Sequence, residues 1–326
     1  MDPDEAEFFK QNGIICQECI AKGGYGVIYL VYSEQYKSTY ALKKIPEKLF
    51  NIEEINCLKA IDDVNIVSLY QYYKFGDSYY MLMEYCPSDL EKIIQKSKGL
   101  PPEMVMRYCH DVIVSIKACH DRHIAHSDIK PSNFMIDKYG RLKIGDFGLS
   151  SIYKDHPTSN LFKGTRLFMA PEIFFFKEYD PMAADVWAIG VTLFYIATRT
   201  YPFYSNDPRV LFQKIEKGVY NDKLIDDPLL KLVISRCIES DPKYRAKVGE
   251  LLEMPYFAPY NQPQPERLPL FSRDPNMKSQ QLIVKPNLTG RRASIGAISL
   301  LKMKGLMGSR LQLTATQNKS LETFIV

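Results

Sequence analysis

The sequence predicts an α+β chain of two unequal lobes, a small β-rich one carrying one helix and a larger helical one. Three observations predict it. Residues 14–45 are rich in β-branched and aromatic residues, with Gly23, Gly24 and Gly26 clustered between two apolar runs. Helical spacing then takes over at Ile52, Ile55, Leu58 and Ile61. From Leu90 to about residue 255, helical patterning dominates.

Taken in order, Ile14-Ile15, Val27–Val31 and Tyr40–Leu42 read as strands, and residues 50–61 as a helix. Strands follow at about 66–74 and 78–84. Pro87-Ser88 marks a break, and Pro101-Pro102 opens a long helix, because proline fits a first helical turn that needs no N–H. From residue 259 onward prolines punctuate the chain and no core-sized apolar pattern appears before residue 298.

A chain of 326 residues exceeds one small domain, and 46% hydrophobic with 25% charged residues fits a globular protein. The net charge of +4 is unevenly placed. Residues 259–326 carry 10 Lys+Arg against 3 Asp+Glu, so a near-neutral body bears a basic tail. The acidic start Met1-Asp2-Pro3-Asp4-Glu5 has no apolar run behind it, which argues against a secretory signal. The longest apolar stretch, Val186–Ala197, is too short and interrupted to span a bilayer, so no transmembrane segment is expected. Seven scattered cysteines read as reduced thiols, with Cys16 and Cys19 as ordinary strand residues. A cytoplasmic location is expected, with nuclear entry left open, and no specific nucleic acid as a partner.

The chemistry concentrates in His126-Ser127-Asp128-Ile129-Lys130-Pro131-Ser132-Asn133, followed 13 residues after Asn133 by Asp146-Phe147-Gly148. An acid, a lysine, an amide and a second acid in that order are what phosphoryl transfer requires. The attacking hydroxyl must be oriented, phosphate charge offset, and metal held by oxygen donors. Upstream, Ala21-Lys22-Gly23-Gly24-Tyr25-Gly26-Val27-Ile28 offers backbone amides that can close over phosphate oxygens with few Cβ atoms in the way. Lys43 lies 15 residues after Ile28 near a strand end, placed to meet those phosphates. Lys44 should point the other way, into solvent. Glu54 is the natural partner of Lys43, with Glu53 beside it left open.

These motifs resemble those of eukaryotic serine/threonine protein kinases, over about residues 14–258. The resemblance implies an N-terminal extension (1–13), a kinase domain (14–258) and a basic, largely irregular tail (259–326). Within the domain it implies a small lobe (14–83), a hinge (84–86) and a large lobe (87–258). Asp128 would act as the base, Lys130 would offset γ-phosphate charge, and Asn133 with Asp146 would hold Mg²⁺. In Met81–Cys86, Met83 would stand as gatekeeper, and the Glu84 carbonyl and Cys86 amide would bond the adenine edge of ATP. Ile28 and Ala41 from above and Met135 from below would sandwich the ring. Gly164-Thr165 and Ala170-Pro171-Glu172 would close an activation segment, with Thr165 bridging Asp128 and Lys130. Asp185 would brace the catalytic loop, and Arg245 would pair with Glu172. Met169–Glu172 and Glu250-Leu251-Leu252 look closest to the calcium/calmodulin-dependent group.

Two departures stand out. Ala21 replaces the first glycine of the loop, and Ser127 stands where most of the family carries an arginine that receives an activating phosphate. Loop phosphorylation is therefore expected not to be the main switch, or to act through other groups such as Lys163; Ser150, Thr158 and Ser159 are the candidate acceptors. Ser132 and Tyr195 occupy positions where basic-directed relatives place acids, leaving Asp89 to support a modest basic preference. In the tail, Arg291-Arg292-Ala293-Ser294 resembles a phosphorylation site. Leu300, Met303, Met307 and Leu311, interleaved with Lys302, Lys304 and Arg310, could form a short amphipathic helix for a calmodulin-like protein or a membrane surface, and a phosphopeptide-binding module is a further candidate partner of the basic tail. The alternatives to a kinase acting on protein Ser/Thr are a pseudokinase scaffold or switch, and a binding module working through the tail.

Overall fold

The computed structural model describes residues 2–24, 26–153, 157–175 and 178–261. Tyr25, Ser294 and the basic apolar stretch at 300–311 lie outside the described residues.

The small lobe is an antiparallel sheet of β1 (Ile14–Gly23), β2 (Gly26–Ser33), β3 (Ser38–Pro46), β4 (Leu69–Phe75) and β5 (Ser78–Glu84), in the order β1-β2-β3-β5-β4. Gly26 opens β2 with φ 151°, and a Cβ there would sit 2.0 Å from the Lys44 carbonyl oxygen, so the loop can turn only at glycine. Side chains alternate across the sheet. Tyr29, Val31, Leu42, Tyr80 and Leu82 pack on the outer face, and Ile45, Met81 and Met83 join the main core on the inner face.

Each face carries a helix. The N-terminal extension, for which the sequence predicted no element, forms α1 (Pro3–Gln11) on the outer face. Its start has a physical cause. Asp2 caps the Glu5 N–H, Glu5 reaches back to the Asp2 N–H, and Pro3 occupies the first turn. Phe9 is fully buried among Phe8, Tyr73 and Tyr80. Lys44 does point away from Lys43, but not into solvent: its amine pairs with the buried Glu5. On the inner face lies α2 (Ile52–Ala60), capped by Asn51 and burying Glu54, Ile55, Cys57 and Leu58.

Past the hinge, β6 (Ser88–Asp89) runs into α3 (Leu90–Lys96) and α4 (Pro102–His120), which begins at the expected proline. Short strands β7 (Ile124–Ala125), β8 (Phe134–Ile136), β9 (Leu142–Ile144) and β10 (Ser151–Ile152) form two small sheets, β6-β8-β9 and β10-β7, that carry the catalytic motifs. The rest is helical: α5 (Pro171–Phe175), α6 (Pro181–Thr198), α7 (Pro208–Lys217), α8 (Pro228–Cys237), α9 (Val248–Leu252) and α10 (Ala258–Asn261). The apolar stretch around Val186 extends to an 18-residue helix, α6, long and apolar enough to cross a membrane by length and composition. That apolar surface is used in the lobe core, since 78% of it is buried, around Trp187. Residues 259–261, expected as irregular tail, stay helical and packed: Tyr260 stacks 4.1 Å from His110, and Asn261 donates to the Leu252 carbonyl at 2.9 Å.

Candidate active site

The site begins with strand alternation. Ala41 and Lys43 point from β3 toward the cleft, and Met81 and Met83 stand opposite them on β5. Lys43 Nζ donates to Glu54 Oε1 at 2.7 Å and to Asp146 Oδ1 at 2.9 Å. Burial opposes the lysine charge, but the carboxylates of Asp146 and Glu54 outweigh it and hold its pKa above the ordinary 10.5. Burial likewise works to raise Asp146, and the Lys43 ammonium overrides it, leaving that pKa below the ordinary 3.8. Glu53, left open as an alternative, faces outward and accepts from Asn56.

A cavity of about 180 Å³ lies between the lobes. Ile28 and Ala41 wall it on the small-lobe side and Met135 on the other, with Met83, Glu84 and Cys86 along its back. Its polar end is Lys43, Asn133 and Asp146. Ile20 and Val67 also line it, and sequence reading missed both. Ile20 directly precedes the glycine-rich loop, which was the available signal, whereas Val67, inside the strand expected at about 66–74, falls in the connection before β4, which starts at Leu69. Glu84 is anchored through its side chain by Lys143 at 2.9 Å, and burial pushes the Cys86 thiol up to about 12, so it contributes an apolar wall rather than a nucleophile. Ala21, Lys22, Gly23 and Gly24 form the end of the β1 hairpin above the cleft.

A second cavity of about 490 Å³ shares Lys43 and Asp146 with the first and reaches Asp128, Lys130 and Thr165. Here Asp128 is held from three sides. Thr165 Oγ1 donates to its Oδ1 at 2.8 Å, Lys130 Nζ to its Oδ2 at 2.8 Å, and Asn133 Nδ2 to its backbone oxygen at 2.7 Å. Lys130 Nζ also donates to Thr165 Oγ1 at 2.9 Å, so the threonine bridges the two, as the kinase resemblance implied.

The backbone beneath is pinned by Asp185, the buried acid of α6. Its Oδ2 accepts from the His126 N–H at 2.7 Å and its Oδ1 from the Ser127 N–H at 2.8 Å. Ser127 and Asp146 both adopt left-handed conformations, φ 66° and 57°, a strain that such bracing sustains. The His126 ring meets Phe147 edge-on at 4.9 Å, and Arg245 grips Glu172 through paired contacts of 2.5 and 3.0 Å.

Several expected regulatory and specificity groups are already engaged. Ser150 is buried and donates to the His126 carbonyl at 3.0 Å. Ser159 is buried too, its backbone paired with Tyr179. Thr158 alone of the three candidate acceptors is exposed. Asp89 is buried as the cap of α3, accepting from the Lys92 N–H at 2.8 Å and pairing with the Lys92 amine at 2.9 Å, so both of its oxygens are already engaged.

Fold and site together define a bilobal protein with a polar-ended cleft between its lobes, and the protein kinase domain family model matches residues 15–257. The chain belongs to the protein kinase family. Among curated proteins, it is 31% identical over 251 residues to CBL-interacting serine/threonine-protein kinase 18 of Arabidopsis thaliana, covering 73% of this chain and 48% of that one. It is 31% identical over 244 residues to sperm motility kinase 3A of Mus musculus, covering 73% and 48%. It is 30% identical over 247 residues to the carbon catabolite-derepressing protein kinase of Saccharomyces cerevisiae, covering 73% and 39%. The match spans half or less of each of these relatives.

Proposed function

We propose that this protein is an active serine/threonine protein kinase that transfers the γ-phosphate of ATP to protein hydroxyls. The observation that carries this reading is the closed ion triad. One lysine reaches both Glu54 and Asp146, at 2.7 and 2.9 Å, which is the arrangement phosphoryl transfer by this family requires. In this reading Asp128 accepts the hydroxyl proton, and Thr165 and Lys130, each holding one of its oxygens, fix the orientation of the carboxylate. Lys43 holds phosphate oxygens while Glu54 holds Lys43. The apolar walls Ile28, Ala41 and Met135 take the adenine ring, and the backbone at Glu84 and Cys86 faces its polar edge.

The donor set fits a hard cation. The Asn133 amide nitrogen is committed to Asp128, which turns its oxygen the other way. Asp146 keeps one carboxylate oxygen beyond its contact with Lys43. Oxygen donors of this kind suit Mg²⁺, which when bound neutralises charge on the transferred phosphate. The pseudokinase alternative would need this machinery to be idle, and the triad supports the opposite.

The test is transfer of labelled phosphate from ATP to a generic protein substrate. Asp128→Asn should lower the rate by about 10²–10⁴-fold, the usual worth of an oriented base. Equal activity of the two proteins would remove the kinase reading.

A further inference from the structure

Resting on that reading, we propose that Lys163 is a positioning residue: its amine clamps the limb that follows Asp146 to the limb that leads into Thr165, in their transfer-competent position and without a phosphate group. The segment has two limbs beside the catalytic loop. The first runs from Asp146 to β10, which pairs with β7 immediately before His126. The second runs through Gly164 and Thr165, whose hydroxyl donates to Asp128 at 2.8 Å. Lys163 joins them. Its Nζ donates to the Leu149 carbonyl at 2.6 Å and to Ser151 Oγ at 3.2 Å, both on the first limb. Release of that amine would free a residue two positions from the group that orients the general base.

Ser127 fits this arrangement. Gly164, at φ 114°, brings the second limb so close that a Cβ there would lie 2.8 Å from the Ser127 carbonyl oxygen. Ser127 and Lys163 line one cavity of about 20 Å³, together with Asp185. Both Asp185 oxygens already accept backbone N–H groups. The Ser127 hydroxyl is buried and has no hydrogen-bond partner among the described residues. An arginine at 127 would bring a second cation to the cavity that Lys163 lines, so a small neutral residue at 127 and a lysine at 163 form a matched pair. Two uncharged ties accompany the lysine: Tyr179 donates to the Leu161 carbonyl at 2.7 Å, and Ser159 pairs with Tyr179 through the backbone.

The experiment uses the full chain, phosphatase-treated and checked by intact mass. Wild type should keep its activity after treatment, as should Thr158→Ala. Lys163→Met should lower kcat about 10- to 100-fold, the loss expected for a buried charged hydrogen bond, and leave the KM for ATP unchanged. Lys163→Arg, which can still donate, should restore most of kcat. Ser127→Arg should lower kcat, and adding Lys163→Met should recover part of that loss. Hydrogen exchange at amides 149–153 reads the clamp apart from catalysis: Lys163→Met should accelerate it, and Asp128→Asn should not. If wild type transfers no phosphate, the kinase reading fails and exchange alone decides the clamp. Unchanged exchange in Lys163→Met, unchanged kcat in that variant, or loss of wild-type activity on phosphatase treatment would each overturn the proposal.

Discussion

Lys43 and Lys44 are adjacent, identical residues of one strand, and they end on opposite faces of the small-lobe sheet. Each pairs with a buried glutamate carried by a helix, Glu54 of α2 on the inner face and Glu5 of α1 on the outer. The difference lies in what surrounds the pair. Lys43 meets a second acid, Asp146, whose side chain is 43% exposed and opens onto the cleft. Lys44 meets an aromatic surface, 5.8 Å from the Tyr80 ring, beside the fully buried Phe9. A buried ion pair is therefore not a mark of chemistry. The inner pair opens onto the cleft through Asp146, which stays accessible, while the outer pair docks a helix.

The largest effect that would break this comparison is on activity. Lys43→Met should reduce phosphoryl transfer by about 10²–10³-fold, the usual worth of one preorganised electrostatic donor, whereas Lys44→Met should leave kcat unchanged. Equal losses in the two variants would mean that the faces are not functionally distinct.

Stability should show the reverse ranking. Phe9→Ala removes a fully buried ring and should cost about 3–5 kcal/mol. Lys44→Met leaves the buried Glu5 carboxylate without its partner and should cost about 1–3 kcal/mol. Urea denaturation of the two variants measures both, and neither should alter the KM for ATP. A Phe9→Ala protein as stable as wild type would show that α1 is not docked as described.

The same contrast explains what could be read in advance. The cleft was legible because its groups recur in a fixed order that carries the family resemblance, and Lys43, Glu54, Asp128, Lys130, Asn133, Asp146 and Thr165 do converge on it. Lys44 was misjudged because alternation says which way a residue points but not what it meets there. Its partner comes from a helix whose start, Asp2-Pro3 with Glu5 at the third helical position, is a capping signature that went unused. Val67 and the ties of Lys163 were illegible for another reason. They depend on which loops pass close in space, as Lys163 meets Leu149 and Ser151, and no local pattern encodes that. Ser150 and Asp89 were read as available because sequence shows the group and not the hydrogen bond that already occupies it.

The smallest predicted effect is a pH dependence confined to the inner face. Asp146 titrates below its ordinary 3.8 in the folded protein because of the Lys43 ammonium, against the opposing influence of burial. A carboxylate lowered on folding contributes stability above its unfolded pKa, and that contribution is lost as pH falls through the lower folded value. Lys43 is the complement: raised above 10.5, it contributes below its unfolded pKa and loses that contribution as pH rises through the higher folded value. The stability difference between wild type and Asp146→Asn should therefore hold steady through neutral pH and shrink below about pH 4. Because the Asp146 side chain opens to the cleft, solvent and salt screen the pair, and the difference should also decline with added salt. Urea titrations from acid to neutral pH at two ionic strengths would measure it. A difference that neither shrinks in acid nor responds to salt would place the Asp146 charge elsewhere than on Lys43, and would remove the electrostatic distinction between the two faces.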